Sequence, residues 1–283
     1  MIRAVAYVTV IGVLGGAAGL YHQAPAIAAG ALLYPSRNDR LPKTPDGCVV
    51  RDFKGAGLVL RGWQCAAVGD SRGTIVYLHG AADNRGSAVG PIARFTQQGY
   101  TVIAYDSRAH GQSEGRACTY GYFEKQDLRR VIDTFASSPV VVVGTSLGAA
   151  VALQAAAEDE RIRGVVAAEV FSDLETIARE RAPFFLWDEQ ILDAFDLAEK
   201  WGGFDIDSAS PRDAAHRIHV PVLVLHGDAD TETLPWHSQR VYESLAGPKR
   251  LMLVQGARHN QTLGNAAAWT EIDRWIAAIM RGV

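Results

Sequence analysis

Cysteine is scarce in this chain, with three residues in 283 and no Cys-x-x-Cys pair. That excludes a disulfide-built scaffold and gives no thiol redox or zinc motif. An excess of one charge is also missing. The 28 Lys plus Arg stand against 31 Asp plus Glu, a formal net charge of -3. No basic field is present to attract nucleic acid, so a nucleic-acid partner is not expected. There is no His-Glu-x-x-His, the histidines are scattered, and Gly144 to Gly148 lacks the Gly-x-Gly-x-x-Gly spacing of a dinucleotide turn. Metal and nucleotide sites are therefore unsupported, and no cofactor is expected. No tract rich in Pro, Gly or Ser divides the core, and no repeat is visible.

Charge is absent from one long stretch. After Arg3, the residues from Ala4 to Leu20 are uncharged and nearly all apolar, and the sequence on to Leu33 is rich in alanine and glycine. The run is somewhat long for a cleavable signal and only just long enough for a membrane span, which takes ~20 apolar residues. Ala26-Ile27-Ala28 has the small-x-small pattern of a signal-peptidase site, and no lipid-accepting cysteine is nearby. Residues 1–34 are therefore expected to be a signal peptide or membrane anchor ahead of a domain spanning 35–283. The protein would then be exported or membrane-anchored, touching a membrane only through this segment. A buried N-terminal helix is the third reading, disfavoured because no polar face breaks the run.

From Val49 onward, strands and helices alternate, the pattern of a mostly parallel sheet with helices on both faces. Strands are predicted at Val49 to Phe53, Leu58 to Cys65, Thr74 to Leu78, Thr101 to Tyr105, Val140 to Val143, Val165 to Val170, Val222 to Leu225 and Arg250 to Val254. The first two form a hairpin flanked by Cys48 and Cys65. These two cysteines are either cross-linked or two half-buried thiols. Helices are predicted over Tyr120 to Phe135, over Ala149 to Ala157, and at the C-terminus, where Trp269, Ile272, Trp275, Ile276 and Ile279 form an apolar stripe. Residues 172–218 exceed a single crossover and carry Phe184-Phe185-Leu186-Trp187 behind Pro183. They read as a small helical cap, with the aromatics either covering a pocket or packing the cap on the body.

The strongest chemical signal is Gly144-Thr145-Ser146-Leu147-Gly148, set between an apolar strand and a small-residue helix. A serine on such a strand-to-helix turn needs glycine two residues to either side, because side chains there would strike the neighbouring strand and helix. The helix N-terminus also favours negative charge at the site.

Here the chain resembles the α/β-hydrolase superfamily, from the hairpin near Cys48 to the C-terminal helix. The resemblance implies an α/β-hydrolase fold with a mostly parallel eight-stranded sheet, helices on both faces and a small helical cap. It implies a serine hydrolase with Ser146 as nucleophile. In this family the acid follows a His-Gly turn, here His226-Gly227-Asp228-Ala229-Asp230, which selects Asp230 and leaves Asp228 to the turn. The base follows the last strand, which selects His259 over the other seven histidines. The oxyanion donors would be the backbone amides of Leu147 and of Ala81, in the loop after His79-Gly80. The segment from Asp106 to Gly115 is similar to the family's Asp-x-Arg-Gly-x-Gly-x-Ser-x-Gly turn, with Ala109 replacing a glycine. Its role is expected to be structural, with Arg108 and His110 as candidate neighbours of the pocket. The substrate implied is a small-molecule ester, as for a carboxylesterase. A short peptide cleaved by the same triad is the alternative, and a non-catalytic binding protein of this fold is the second.

Overall fold

The computed structural model describes residues 21–135 and 139–282. The short β-branched runs form strands because such side chains fit a sheet covered on both faces. All eight predicted strands are present: β1 Cys48–Lys54, β2 Val59–Cys65, β3 Thr74–Leu78, β4 Thr101–Tyr105, β5 Val140–Thr145, β6 Ile162–Ala168, β7 Val222–Gly227 and β8 Lys249–Val254. They make one sheet in the order β1-β2-β4-β3-β5-β6-β7-β8. The β1–β2 and β2–β4 pairs are antiparallel and the rest parallel. Cys48 and Cys65 are register partners in the hairpin and are joined by a disulfide. Cys118 is a buried free thiol.

Every residue of β5 is buried. Val140 and Val142 point into the core on one face, and Val141 and Val143 into the core on the other. The second face is covered by α2 (Val89–Gln97) and by α9 (Ala266–Arg281), whose stripe buries Ile272, Ile276 and Ile279. The first is covered by α3 (Glu124–Ile132), α4 (Leu147–Ala156) and α8 (Pro235–Ser244).

Helix α3 starts four residues later than its periodicity predicts. Tyr120 and Gly121 have φ of 54° and 112°, outside helical space. The Glu124 carboxylate also takes the amides of Thr119 and Gly121, at 2.7 and 2.8 Å, and ends the turn there. Strand β6 likewise stops at Ala168 because Glu169 turns away with φ 58°.

Two cap helices, α5 (Leu174–Arg181) and α6 (Asp188–Gly202), fill most of the insertion after β6. A third helix, α7 (Pro211–Ala215), packs on α4 and α8 and so belongs to the body. Side-chain hydrogen bonds tie the cap to the body. His237 of α8 bonds the Glu180 carboxylate at 2.9 Å, and Arg181 donates to Thr233 Oγ1 at 2.8 Å.

Residues 21–33 are helical, and we call them α1. Ala29 and Leu33 of α1 are fully buried in the main core. The Tyr120 hydroxyl donates to Leu32 O at 2.9 Å, and Gln190 Nε2 of α6 donates to Tyr21 O at 3.0 Å. The packed unit therefore begins at or before residue 21, ahead of the boundary expected at 35, and it includes Ala26-Ile27-Ala28. Among the described residues no helix is long and apolar enough to cross a membrane. The expected signal or anchor run, Ala4 to Leu20, lies outside the described residues.

Candidate active site

Strand β5 ends at Thr145 and α4 begins at Leu147, so Ser146 occupies the turn between them with φ 49° and ψ -114°. This is a costly conformation for a residue with a side chain, about 1–3 kcal/mol. It is held by close approach on both sides. A Cβ on Gly144 would lie 2.3 Å from Gly148 O, and one on Gly148 would lie 2.2 Å from Leu78 O. Both glycines therefore let the helix press against the strands and lift Ser146 above them.

His259 comes from the loop after β8, and Asp230 from the turn after β7. The Ser146 hydroxyl is 3.1 Å from His259 Nε2, and His259 Nδ1 is 2.7 Å from Asp230 Oδ2. With Nδ1–H donating to the carboxylate, the neutral ring leaves Nε2 free to accept the serine proton. The other oxygen, Asp230 Oδ1, takes the amides of Glu232 and Thr233 at 2.9 and 3.0 Å. Burial pushes the Asp230 pKa up, but the Thr233 amide, His259 and the Glu232 amide outweigh it and hold the carboxyl below its ordinary value. Asp228 instead accepts the Gly256 amide at 2.6 Å and stays in the β7–β8 turn region.

The loop after β3 faces the serine. A Cβ on Gly80 would lie 3.6 Å from Ser146 Cβ, which places this loop beside the serine turn. His79 fixes its start, with Nδ1–H donating to Gly80 O at 2.7 Å and Nε2 accepting the Ser107 amide at 2.9 Å. Further along, Arg85 pairs with the fully buried Asp106, which also accepts the Arg85 amide at 2.7 Å and the Gln112 amide at 2.8 Å. The amide of Ala81 thus sits in a loop anchored at both ends. Leu147 is the first residue of α4, where helical N–H groups have no intrahelical acceptor.

Three residues that sequence reasoning did not single out support this arrangement. Glu169, 1% exposed, accepts the amides of Asn260 and Thr262 at 2.8 and 2.9 Å and the Thr145 hydroxyl at 3.2 Å. It thereby binds the His259 loop to the end of β5. An acid at the end of the otherwise apolar Val165 to Val170 run was the available signal. Asn260 takes φ 60° immediately after His259, a conformation asparagine tolerates better than most residues. Ser238 bonds the Nδ1 of His226 at 2.6 Å, while His226 Nε2 lies 2.8 Å from Thr233 O and 3.2 Å from Asp230 Oδ2. His226, at the end of β7, therefore braces the turn that carries Asp230.

Other expectations resolve differently. Arg108 forms a buried pair with Asp127 at 2.7 Å. His110 packs edge-on against His79, with ring centroids 5.2 Å apart. Ala109 adopts φ 62° and so keeps the left-handed turn that glycine would make more readily. Phe184 and Trp187 do not pack the cap on the body, being 100% and 70% exposed, whereas Phe185, 64% exposed, borders a cavity. That cavity, of about 610 Å³, is walled by α1, Tyr120, α5 and α6, and its lining does not include Ser146, Asp230 or His259.

Comparison with known proteins agrees with this architecture. A family model described as the alpha/beta hydrolase fold matches residues 73–199. YqkD of Bacillus subtilis, an uncharacterized protein, is 30% identical over 200 residues, covering 67% of this chain and 66% of YqkD. The rat mitochondrial palmitoyl-protein thioesterase ABHD10 is 27% identical over 192 residues, covering 62% of this chain and 64% of its own. Among solved structures, the Pyrococcus furiosus esterase Pf2001 superposes with a TM-score of 0.67 at 22% identity, covering 88% of this chain and 97% of that one. Strand order, the serine turn between β5 and α4, and these matches lead to one assignment: the chain has the α/β-hydrolase fold.

Proposed function

We propose that the protein is a serine hydrolase that cleaves an acyl ester or thioester through an acyl-enzyme on Ser146. The observation that carries this reading is the hydrogen-bond chain from Ser146 through His259 to Asp230, at 3.1 and 2.7 Å, built on a strained turn. In the proposed reaction Ser146 Oγ attacks the acyl carbon while His259 Nε2 takes its proton. The carbonyl oxygen gains charge and is held by the amides of Ala81 and Leu147. The tetrahedral adduct collapses, His259 returns the proton to the departing alcohol or thiol, and the acyl group stays on Ser146. Water, losing a proton to His259, then releases the carboxylic acid and restores the serine. Asp230 keeps Nδ1 protonated throughout and stabilises the imidazolium.

The thioesterase named among the relatives supports including thioesters. The test is fluorophosphonate labelling with turnover of p-nitrophenyl acetate and butyrate, using the full chain because α1 is part of the core. Labelling and turnover that vanish together in Ser146→Ala support the proposal. Cleavage of aminoacyl amides in preference to esters would make it a peptidase. A folded wild type that neither labels nor turns over substrate would favour a non-catalytic binding protein.

A further inference from the structure

The turn between α5 and α6 presents three aromatic side chains to solvent. Phe184 is fully exposed, Phe185 and Trp187 mostly so, and the two Phe rings stack edge-on with centroids 5.6 Å apart. Single exposed hydrophobic residues are ordinary, but clustered large ones mark a contact surface. This cluster is held in place rather than splayed by chance. Leu186 N donates to Pro183 O at 2.9 Å, and Trp187 N donates to Gln190 Oε1 at 3.2 Å. The same Gln190 side chain reaches Tyr21 O, so the aromatic turn is fastened to the first described residue of α1. Tyr21 and Ile27 of α1 and Leu192 of α6 are also exposed, at 49%, 60% and 51%. Ile27 and Phe185 line the 610 Å³ cavity as well, so that cavity opens on this face.

We propose that this face docks on a lipid bilayer, with Phe184, Phe185 and Trp187 entering the headgroup and upper acyl region. Three observations favour lipid over a protein partner. In sequence, the charge-free Ala4 to Leu20 run leads directly into Tyr21, whose carbonyl Gln190 ties to this face. Trp and Tyr suit a membrane interface, where one end of the ring is apolar and the other wet, and Phe serves as a wholly apolar side chain that inserts beside them. The cavity beside them is almost wholly apolar, with Arg181 its one charged side chain, which fits an acyl chain drawn from the bilayer. Arg181 also bonds Thr233, whose amide holds Asp230, so the cavity adjoins the acid turn. Between Arg179 and Gln190 the chain carries Arg179 and Arg181 against Glu180, Asp188 and Glu189. Attachment is therefore by apolar insertion, and zwitterionic, net-neutral phosphatidylcholine vesicles suffice.

The test is independent of catalysis. A Phe184→Cys variant of the full chain, carrying an environment-sensitive fluorophore on the new thiol, is mixed with phosphatidylcholine vesicles with or without brominated acyl chains. Cys48 and Cys65 are bonded and Cys118 is buried, so labelling is confined to the new position. Val68→Cys, exposed in the loop ahead of β3 at the other end of the sheet, is the control. The expected result is a shift to shorter wavelength and quenching by bromine at position 184, with neither at position 68. No vesicle binding, or binding without quenching at 184, overturns the proposal. Emission already at short wavelength before lipid is added also overturns it, and its dependence on protein concentration tells a second copy from cover by the chain's own apolar run.

Discussion

Glu169 accepts the backbone amide of Asn260 at 2.8 Å, and so holds the residue next to His259 from the end of a different strand. The same carboxylate takes the Thr262 amide, so two points of the histidine loop hang from one buried acid. Under the proposed mechanism, Glu169→Ala is expected to lower kcat by about 10²-fold through misplacement of the base, with KM little changed. Glu169→Gln, which keeps one acceptor oxygen, should lie between the two. A Glu169→Ala enzyme with normal kcat would remove this residue from the positioning scheme.

The choice of acid is open to a direct contrast. Asp230→Asn should cost about 10⁴-fold in kcat, since an amide cannot hold the His259 tautomer as a carboxylate does. Asp228→Asn, which touches only the Gly256 amide, should leave kcat within a few-fold of wild type and lower stability slightly. Steady-state kinetics of the two purified variants, with circular dichroism as the fold check, measures both.

Stability should fall on the acid side for a reason located in buried histidines. Burial, and then the neighbouring His79, push the His110 pKa down to about 4. Burial lowers those of His79 and His226 as well. An unfolded histidine titrates near its ordinary value of about 6.5, so between there and about 4 the unfolded chain binds protons that the fold excludes. Stability is then complete above about pH 6.5 and declines toward pH 4, by roughly 3 kcal/mol from His110 alone. Asp230 adds a loss at lower pH, because its depressed folded pKa gives stabilisation that disappears as the pH falls through that value. Melting curves from pH 8 to pH 4 should show the decline, and His110→Gln should flatten it. An identical slope in that variant would count against the assignment.

The Arg85–Asp106 pair anchors the loop after β3 from inside the core, with side chains 3% and 0% exposed. Asp106→Asn should destabilise by about 3–5 kcal/mol, because it leaves a guanidinium buried without its counter-charge. Removing that charge too, in Arg85→Met with Asp106→Asn, should recover part of the loss. Chemical denaturation of the two single variants and the double closes the cycle, and simple additivity would show that the pair is not coupled.

The sequence by itself determined the sheet and the order of the candidate residues. Short apolar runs rich in β-branched residues and bounded by turn residues favour buried strands over helices, and glycines flanking Ser146 admit few turns other than the one found. Periodicity likewise gave α9, because its stripe repeats at helical spacing. Tertiary structure decided what no local pattern encodes. Glu169 acts on a loop distant in sequence, and Ser238, which bonds His226, also donates to Val170 O 68 residues away; these contacts follow only from which strand ends lie side by side. The cap aromatics read equally well as packing or pocket cover, and only the folded arrangement leaves them in solvent beside α1. Short-range physics sets strands, turns and stripes within a few residues. Contacts such as that of Glu169 with Asn260, 91 residues apart, exist only once the sheet has been assembled.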